Sequence, residues 1–422
     1  MRLLSQSNVW LALWAFFLLS FGLGSIGIQL IWLLALTGLI VVARDRSNGL
    51  DLAGSQSILL PLFAVLLVSL WSLMDSVVPA RSARTLVRFC SYGVAAWMLF
   101  RLAPRAEQLQ PLILMVGGGV VFFWLDGLFQ LVAGANLGGF PLYYDGRYAD
   151  RITGFLAINY GWVMAVMSPW AFEACRLSRR PHIAYSVVLP IGCAAILFSG
   201  SRASMLLYLA SLVLYGVFLG QKHGWSKMGD YFFSMLFALV VALLAGASIE
   251  ALNDRWTDVH GVFSTQLEDW NYALSLRPNL WLAAGNLAVE HWLNGVGLRG
   301  FGTAASSLLA GTDLPPGDPY NWSPHLAVLE VAADLGLAGL MLYLILYYKL
   351  IRWCITCPSI AIAPALTAML AFFPLGSTLP IWSARVAGMG WVFLAVSLVF
   401  VQAGLRPIHH GSSSSTGDTG AD

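Results

Sequence analysis

Long apolar runs recur along nearly the whole chain, separated by short polar turns, and one polar stretch over residues 250–325 breaks the rhythm. A run of about 18 or more apolar residues can cross a hydrocarbon core of about 30 Å as an α-helix, because a helix satisfies its own backbone where no water is available. The pattern predicts spans over residues 9–23, 25–43, 57–74, 86–102, 111–133, 153–175, 182–199, 203–220, 231–249, 326–348, 359–376 and 386–404, about twelve helices in all. Nothing in it suggests a barrel. The expected fold class is therefore an all-α polytopic membrane protein. Four stretches follow: nine spans over 1–249, a helical outer segment over 250–325, three spans over 326–406, and a tail over 407–422 that is Ser/Gly/Asp-rich from Gly411 and reads as having no core.

Composition agrees with the pattern. Of 422 residues 58% are hydrophobic and 10% charged, and the mean hydropathy is +0.74, far from the balance of a soluble domain. The first run, from Val9, has only Arg2 before it and no small-residue cleavage site, so it reads as a retained span. Cys90, Cys175, Cys193, Cys354 and Cys357 all fall in or beside predicted spans, which argues against a disulfide framework. Cys354-Ile-Thr-Cys357 has redox-motif spacing in what reads as a short inner loop.

Charge placement sets the orientation. With the N-terminus in the cytoplasm, Arg44, Arg46, Arg101, Arg105, Arg176, Arg179, Arg180, Lys222, Lys227, Lys349, Arg352 and Arg406 all lie inside, as the positive-inside rule requires. The polar segment then faces out. On or near the outer face lie Arg81, Arg84, Arg88, Arg147, Arg151, Arg202, Arg255, Arg277, Arg299 and Arg385, all arginines, while every lysine stays inside. Bidentate recognition of phosphate favours the planar guanidinium, so the division points to an anionic, phosphorylated ligand outside; a general preference for arginine would produce it too. Arg81, Arg84 and Arg88 are spaced to line one helix face, where they could snorkel to lipid headgroups or grip a diphosphate. The 134–152 loop carries Tyr143, Tyr144, Tyr148, Asp145, Asp150, Arg147 and Arg151, a mixture that suits an interface belt or sugar contact. Ser199-Gly200-Ser201-Arg202 joins two spans so tightly that Arg202 must start a helix at membrane level, where a charge needs a partner or a role.

Within the outer segment, Trp256, Trp270, Trp281 and Trp292 among charges read as helices lying on a bilayer surface. Arg277-Pro278 marks a helix start. The run from Asn294 to Gly302 is glycine-rich and lets backbone approach a ligand closely, and a loop over 311–321 reads as a flexible cover. Ser323 is placed to cap a helix with Pro324 first and His325 second. The positive end of that helix would keep His325 neutral and able to accept a proton. Outer carboxylates Asp254, Asp258, Glu268, Asp269 and Glu290 are numerous, but no Asp-x-Asp pair occurs, so no metal site or cofactor is expected.

At these residues the chain resembles the O-antigen ligase and polymerase superfamily, polytopic enzymes of the bacterial inner membrane that move glycans from undecaprenyl diphosphate. The matching stretches are Ser199-Gly200-Ser201-Arg202; Arg277 with Trp281; Asn294-Gly295-Val296-Gly297 through Phe301; and His325 with Glu330 and the run Asp334 to Gly339. One departure is Leu326, where the family commonly has asparagine. The resemblance implies a GT-C-like glycosyltransferase fold with its cavity on the periplasmic face, in a Gram-negative inner membrane. It implies His325 as catalytic base, Arg202 and Arg277 on the diphosphate, and an inverting transfer without metal. Arg81, Arg84, Arg88 and Arg299 are further candidates for binding substrate.

Three transfers fit such a site. A ligase joins O-antigen to lipid A-core oligosaccharide, a polymerase extends the lipid-linked glycan, and a protein oligosaccharyltransferase glycosylates a protein. The ligase leads, because the last usually carries an extra folded domain. Its partners would be the undecaprenyl-diphosphate-linked O-antigen, lipid A-core and membrane lipids, with no nucleic acid. A transporter would also have many spans, but the internal repeats it should show are absent from the sequence.

Overall fold

The structure is a computed structural model that describes residues 2–20, 30, 32–33, 36–37, 40, 52–101, 106–143, 151–248, 266–310, 318, 321–376 and 378–405. Among these there are helices, turns and two isolated antiparallel bridges, Ala135 with Pro141 and Tyr143 with Arg151. The membrane-side helices are α1 (Arg2–Ser20), α2 (Leu52–Met74), α3 (Pro79–Arg101), α4 (Ala106–Ala133), α5 (Tyr160–Leu177), α6 (Pro181–Phe198), α7 (Arg202–His223) and α8 (Gly229–Ser248). The outer segment contributes α9 (Leu267–Ala273), α10 (Arg277–Glu290) and α11 (Phe301–Leu308). The chain then returns through α12 (Ala327–Thr356), α13 (Ile362–Ala371) and α14 (Ala384–Leu405).

Each apolar run of the sequence coincides with a helix, apart from 25–43, which lies largely outside the described residues. Six described helices are long and apolar enough to cross a membrane: Gln56–Met74, Glu107–Ala133, Pro181–Phe198, Arg202–His223, Ala327–Thr356 and Ala384–Gln402. The others fall short for physical reasons. Helix α3 carries Arg81, Arg84, Arg88 and Arg101, and α13 has only ten residues, about 15 Å of rise. Every residue of α13 is buried, as are most of α5, so these two stand at the centre and the others pack round them. A helix that is apolar all round belongs in such a place.

Several polar groups inside the bundle are paired. Glu173, fully buried on α5, receives Arg176 Nη2 at 2.6 Å, Arg176 Nε at 2.9 Å and the Tyr215 hydroxyl of α7 at 2.8 Å. On α4, Gln130 accepts the N–H groups of Thr153 and Gly154 at 2.8 and 2.9 Å and donates to the carbonyls of Phe140 and Pro141. Asp126, one turn away, accepts Leu137 N–H at 2.9 Å. Buried amide and carboxyl groups thus pin the described parts of the 134–152 loop onto α4, as buried polar groups require.

All five cysteines are free. The pair with redox spacing does not lie in a loop: Cys354 is in the last turn of α12 and Cys357 ends it, both buried beside Lys222, whose ammonium donates to the Cys357 and Ile355 carbonyls. The outer segment has its own small apolar core, separate from the bundle, in which Leu280 and Leu287 of α10 meet Val296, Phe301, Trp322 and Ala333.

Candidate functional site

Helix α7 begins at Arg202, where the sequence predicts a start, with Ser201 as cap: its hydroxyl accepts Ser204 N–H at 3.3 Å. Helix α10 begins at Arg277, with Pro278 next. Each arginine is therefore mounted on the first residue of a helix. Arg202 Nη2 donates to Ser275 Oγ at 3.3 Å, two residues before Arg277, and Arg202 Nη1 is buried without a hydrogen-bond partner among the described residues. Burial lowers the Arg277 guanidinium from its ordinary value, and the nearby charge of Arg202 lowers it further. Two like charges are thus held within each other's field at half-buried positions. That arrangement favours a bound anion, which relieves the repulsion of both.

His325 joins this pair through a tryptophan. Trp281 stands one turn after Arg277 on α10, and its Nε1 donates to Pro324 O at 2.9 Å. It is half-buried and turned inward, not lying on a bilayer surface as its spacing suggests, whereas Trp292 and Trp270 are exposed. The helix after the histidine also starts later than expected. Leu326 is its cap, α12 begins at Ala327, and His325 precedes both in the left-handed region with φ of 51°. Ser323 is buried and makes no capping bond. The first donors of α12 go to the 374–376 turn instead, Ala327 N–H to Gly376 O and Val328 N–H to Pro374 O, each at 3.1 Å.

Helix α12 is broken at Gly336, which has φ of 64° and ψ of −161°. The break frees carbonyls and donors that the glycine-rich loop takes up. Val296 N–H bonds to Ala333 O at 2.9 Å, Gly297 N–H to Asp334 O at 3.0 Å, and Leu337 N–H to Trp292 O at 2.7 Å. The Asp334 carboxylate completes the latch, accepting Arg299 N–H at 2.8 Å and Phe301 N–H at 3.1 Å, and so caps α11 from another helix. A Cβ on Gly295 would lie 2.4 Å from Asp334 C, and one on Gly336 2.5 Å from Leu293 C. At Gly295 the close approach is therefore to the backbone of α12.

The latch reaches two further elements. Ser72 of α2 donates to Asp334 O at 2.8 Å, Val77 N–H to Val296 O at 3.1 Å, and Ser82 Oγ to Leu298 O at 2.9 Å. Arg81, Arg84 and Arg88 do share a face of α3; Arg81 is half-buried next to this loop, and Arg84 and Arg88 are exposed, with Arg84 Nε bonded to Ala80 O at 3.1 Å. Arg299 sits on the latch itself with φ of 60°, and its charge is felt at Asp334 and at the buried Glu330. Glu330 accepts Ile381 N–H at 2.9 Å, which fixes the chain entering α14.

All four non-glycine residues with positive φ among the described ones, Ser275, Leu276, Arg299 and His325, lie in this segment. Such strain collects where a surrounding structure enforces a functional geometry. Sequence reasoning missed the inward turn of Trp281 and the roles of Ser275 and Asp334. An i,i+4 pair of acids, Glu330 and Asp334, at the mouth of an apolar helix was the available signal for the last. Arg255, the 311–317 loop, Asp254 and Asp258 lie outside the described residues, and among the described ones no group of three or more His, Cys, Asp or Glu could hold a metal ion.

No curated protein matches the chain. A family model described as O-antigen ligase matches residues 186–344, the stretch that holds Arg202, Arg277, the latch and His325. That match, over less than half of the chain, supports a place in the O-antigen ligase superfamily.

Proposed function

We propose that the protein is an O-antigen ligase, transferring O-antigen from undecaprenyl diphosphate to lipid A-core oligosaccharide on the periplasmic face of a Gram-negative inner membrane. The observation that carries this reading is the Arg202–Arg277 pair, held within each other's field and tied through Trp281 to the Pro324 carbonyl, next to His325. A diphosphate leaving group needs this kind of cationic reception. In the proposed step the acceptor hydroxyl attacks the anomeric carbon as its bond to the diphosphate oxygen breaks. His325 takes the hydroxyl proton, and the departing charge passes to Arg202 and Arg277. Attack opposite the leaving group inverts the anomeric configuration. Arg81, Arg84, Arg88 and Arg299 extend the cationic surface towards the glycan and the lipid headgroups.

A cavity of about 460 Å³ supports a lipid-linked donor. It is lined mainly by apolar and aromatic side chains along α12 from Val331 to Trp353 and by Phe89, Trp382 and Trp391, with Gln56, Ser57 and Lys349 adding polar groups. That length of helix is about 33 Å, enough to cross the hydrocarbon core.

Deleting the gene is the test. Uncapped lipid A-core together with polymerised O-antigen on its lipid carrier is the expected result, and His325→Ala should reproduce it. Accumulation of single repeat units on the carrier would replace ligase with polymerase. Unaltered lipopolysaccharide would refute both.

A further inference from the structure

The backbone around His325 is held from two sides. Downstream, Ala327 and Val328 donate to the 374–376 turn, and Glu330 N–H donates to Leu326 O at 2.9 Å. Upstream, Trp281 Nε1 donates to Pro324 O at 2.9 Å, and that carbonyl belongs to the peptide that enters His325. Between these fixed points His325 adopts φ of 51°. A left-handed conformation costs a residue with a side chain about 1 kcal/mol or more and persists only where its neighbours impose it. Leu326 offers no side-chain hydrogen bond to help.

The upstream anchor comes from a significant place. Trp281 is four residues after Arg277, on the same face of α10 and one turn along. Pro324, Ser323 and Trp322 are buried behind it, so the segment leading to the histidine is packed while the histidine itself is half-exposed. A change in the Pro324 peptide plane would swing the imidazole without disturbing that packing. We propose that Trp281 is a positioning residue for the transfer: by holding the Pro324 carbonyl, it sets the direction of the His325 imidazole relative to the Arg277 guanidinium. This rests on the reading of His325 as the base. It assigns the orientation of the ring to a backbone contact before the histidine rather than to a side chain after it.

Trp281→Phe keeps an aromatic ring in place and removes the N–H. Purified protein in lipid nanodiscs, supplied with undecaprenyl-diphosphate-linked O-antigen and lipid A-core, gives kcat and donor KM for wild type, Trp281→Phe, His325→Ala and the double variant. Misplacement of a reacting group by about 1 Å costs up to about a hundredfold in rate. The expected result is a ten- to hundredfold lower kcat for Trp281→Phe, by that scale, with donor KM and melting temperature little changed. On the His325→Ala background the same substitution should cost nothing more. Wild-type kcat in Trp281→Phe overturns the proposal, and so does an equal loss on the His325→Ala background. A variant that fails to accumulate, or whose lost turnover follows a lowered melting temperature, makes Trp281 a stability residue and overturns it too. If His325→Ala itself turns over like wild type, the base assignment has failed and the role of Trp281 falls with it, a result separate from the others.

Discussion

Replacing Asp334 by asparagine tests the latch between α12 and the glycine-rich loop. The carboxylate is buried and takes two backbone donors, Arg299 N–H at 2.8 Å and Phe301 N–H at 3.1 Å. Asparagine has nearly the same shape but only one acceptor oxygen, so its amide group must face one of those N–H donors. One charge-assisted bond disappears and a buried donor is stranded, each a loss of about 1–3 kcal/mol. Part of that is offset because the charge of Asp334 acts against Glu330, four residues before it. A net weakening of about 2 kcal/mol is expected, by the scale of single hydrogen bonds to charged groups. The loss should be local. Amide hydrogen exchange reports local opening free energies directly, and about 2 kcal/mol corresponds to roughly thirtyfold faster exchange. The assay is exchange of wild type and Asp334→Asn in detergent or nanodiscs, read on peptides that cover residues 294–308. Protection at α5 and α13, in the centre of the bundle, should not change. Equal exchange over 294–308 in the two proteins would refute the reasoning, because the latch would then not depend on the carboxylate. Equal acceleration everywhere would refute it differently, by making Asp334 a general stability residue.

Other substitutions have expected outcomes of their own. Gly336→Ala forces a side chain into φ of 64° and places its Cβ 2.5 Å from Leu293 C, so a loss of about 1–3 kcal/mol or more and poor accumulation in the membrane are expected. Gly118→Ala on α4 meets nothing within 4 Å and should leave the melting temperature equal or slightly higher. Arg202→Lys keeps the charge but loses the guanidinium fork, so donor KM should rise about tenfold with little change in folding, measured in the nanodisc transfer assay. Tyr215→Phe removes one of three donors to the buried Glu173 carboxylate; thermal melting should show a loss of about 1–3 kcal/mol while transfer at permissive temperature is retained.

Helices were legible because burial in a bilayer demands long apolar stretches, and the runs over 111–133, 182–199 and 203–220 meet α4, α6 and α7 to within a few residues. Two helix starts that bear on chemistry, Arg202 and Arg277, were legible from a tight turn between two spans and from a proline. The start after His325 was not. Ser323-Pro324 resembles a cap and first turn, but local capping preference lost to tertiary donors and acceptors: the 374–376 turn takes the first N–H groups of α12, and Trp281 takes the Pro324 carbonyl. Nothing within a few residues of His325 encodes either partner. The tryptophans show the same limit, since spacing among charges cannot tell an exposed indole, such as Trp292, from one that turns in, such as Trp281.

The glycines carry the deeper lesson about how this site is built. Gly295 and Gly336 are far apart in sequence, yet the first makes room for the backbone that the second interrupts. An unbroken α12 would spend the carbonyls of Ala333 and Asp334 inside the helix, and the loop would have no place to dock. Because the helix breaks at Gly336, its outer turns from Ala327 to Leu335 become a bracket. They hold the Arg299 loop through Asp334, hold the chain entering α14 through Glu330, and follow directly from His325. Each connection is a backbone donor meeting a buried acceptor, which gives direction as well as attraction. The proposed base and Arg299 are thereby referred to one short rigid element. A transfer between two lipid-anchored substrates, which cannot tumble freely to find the right alignment, gains most from a site whose own parts are fixed in this way.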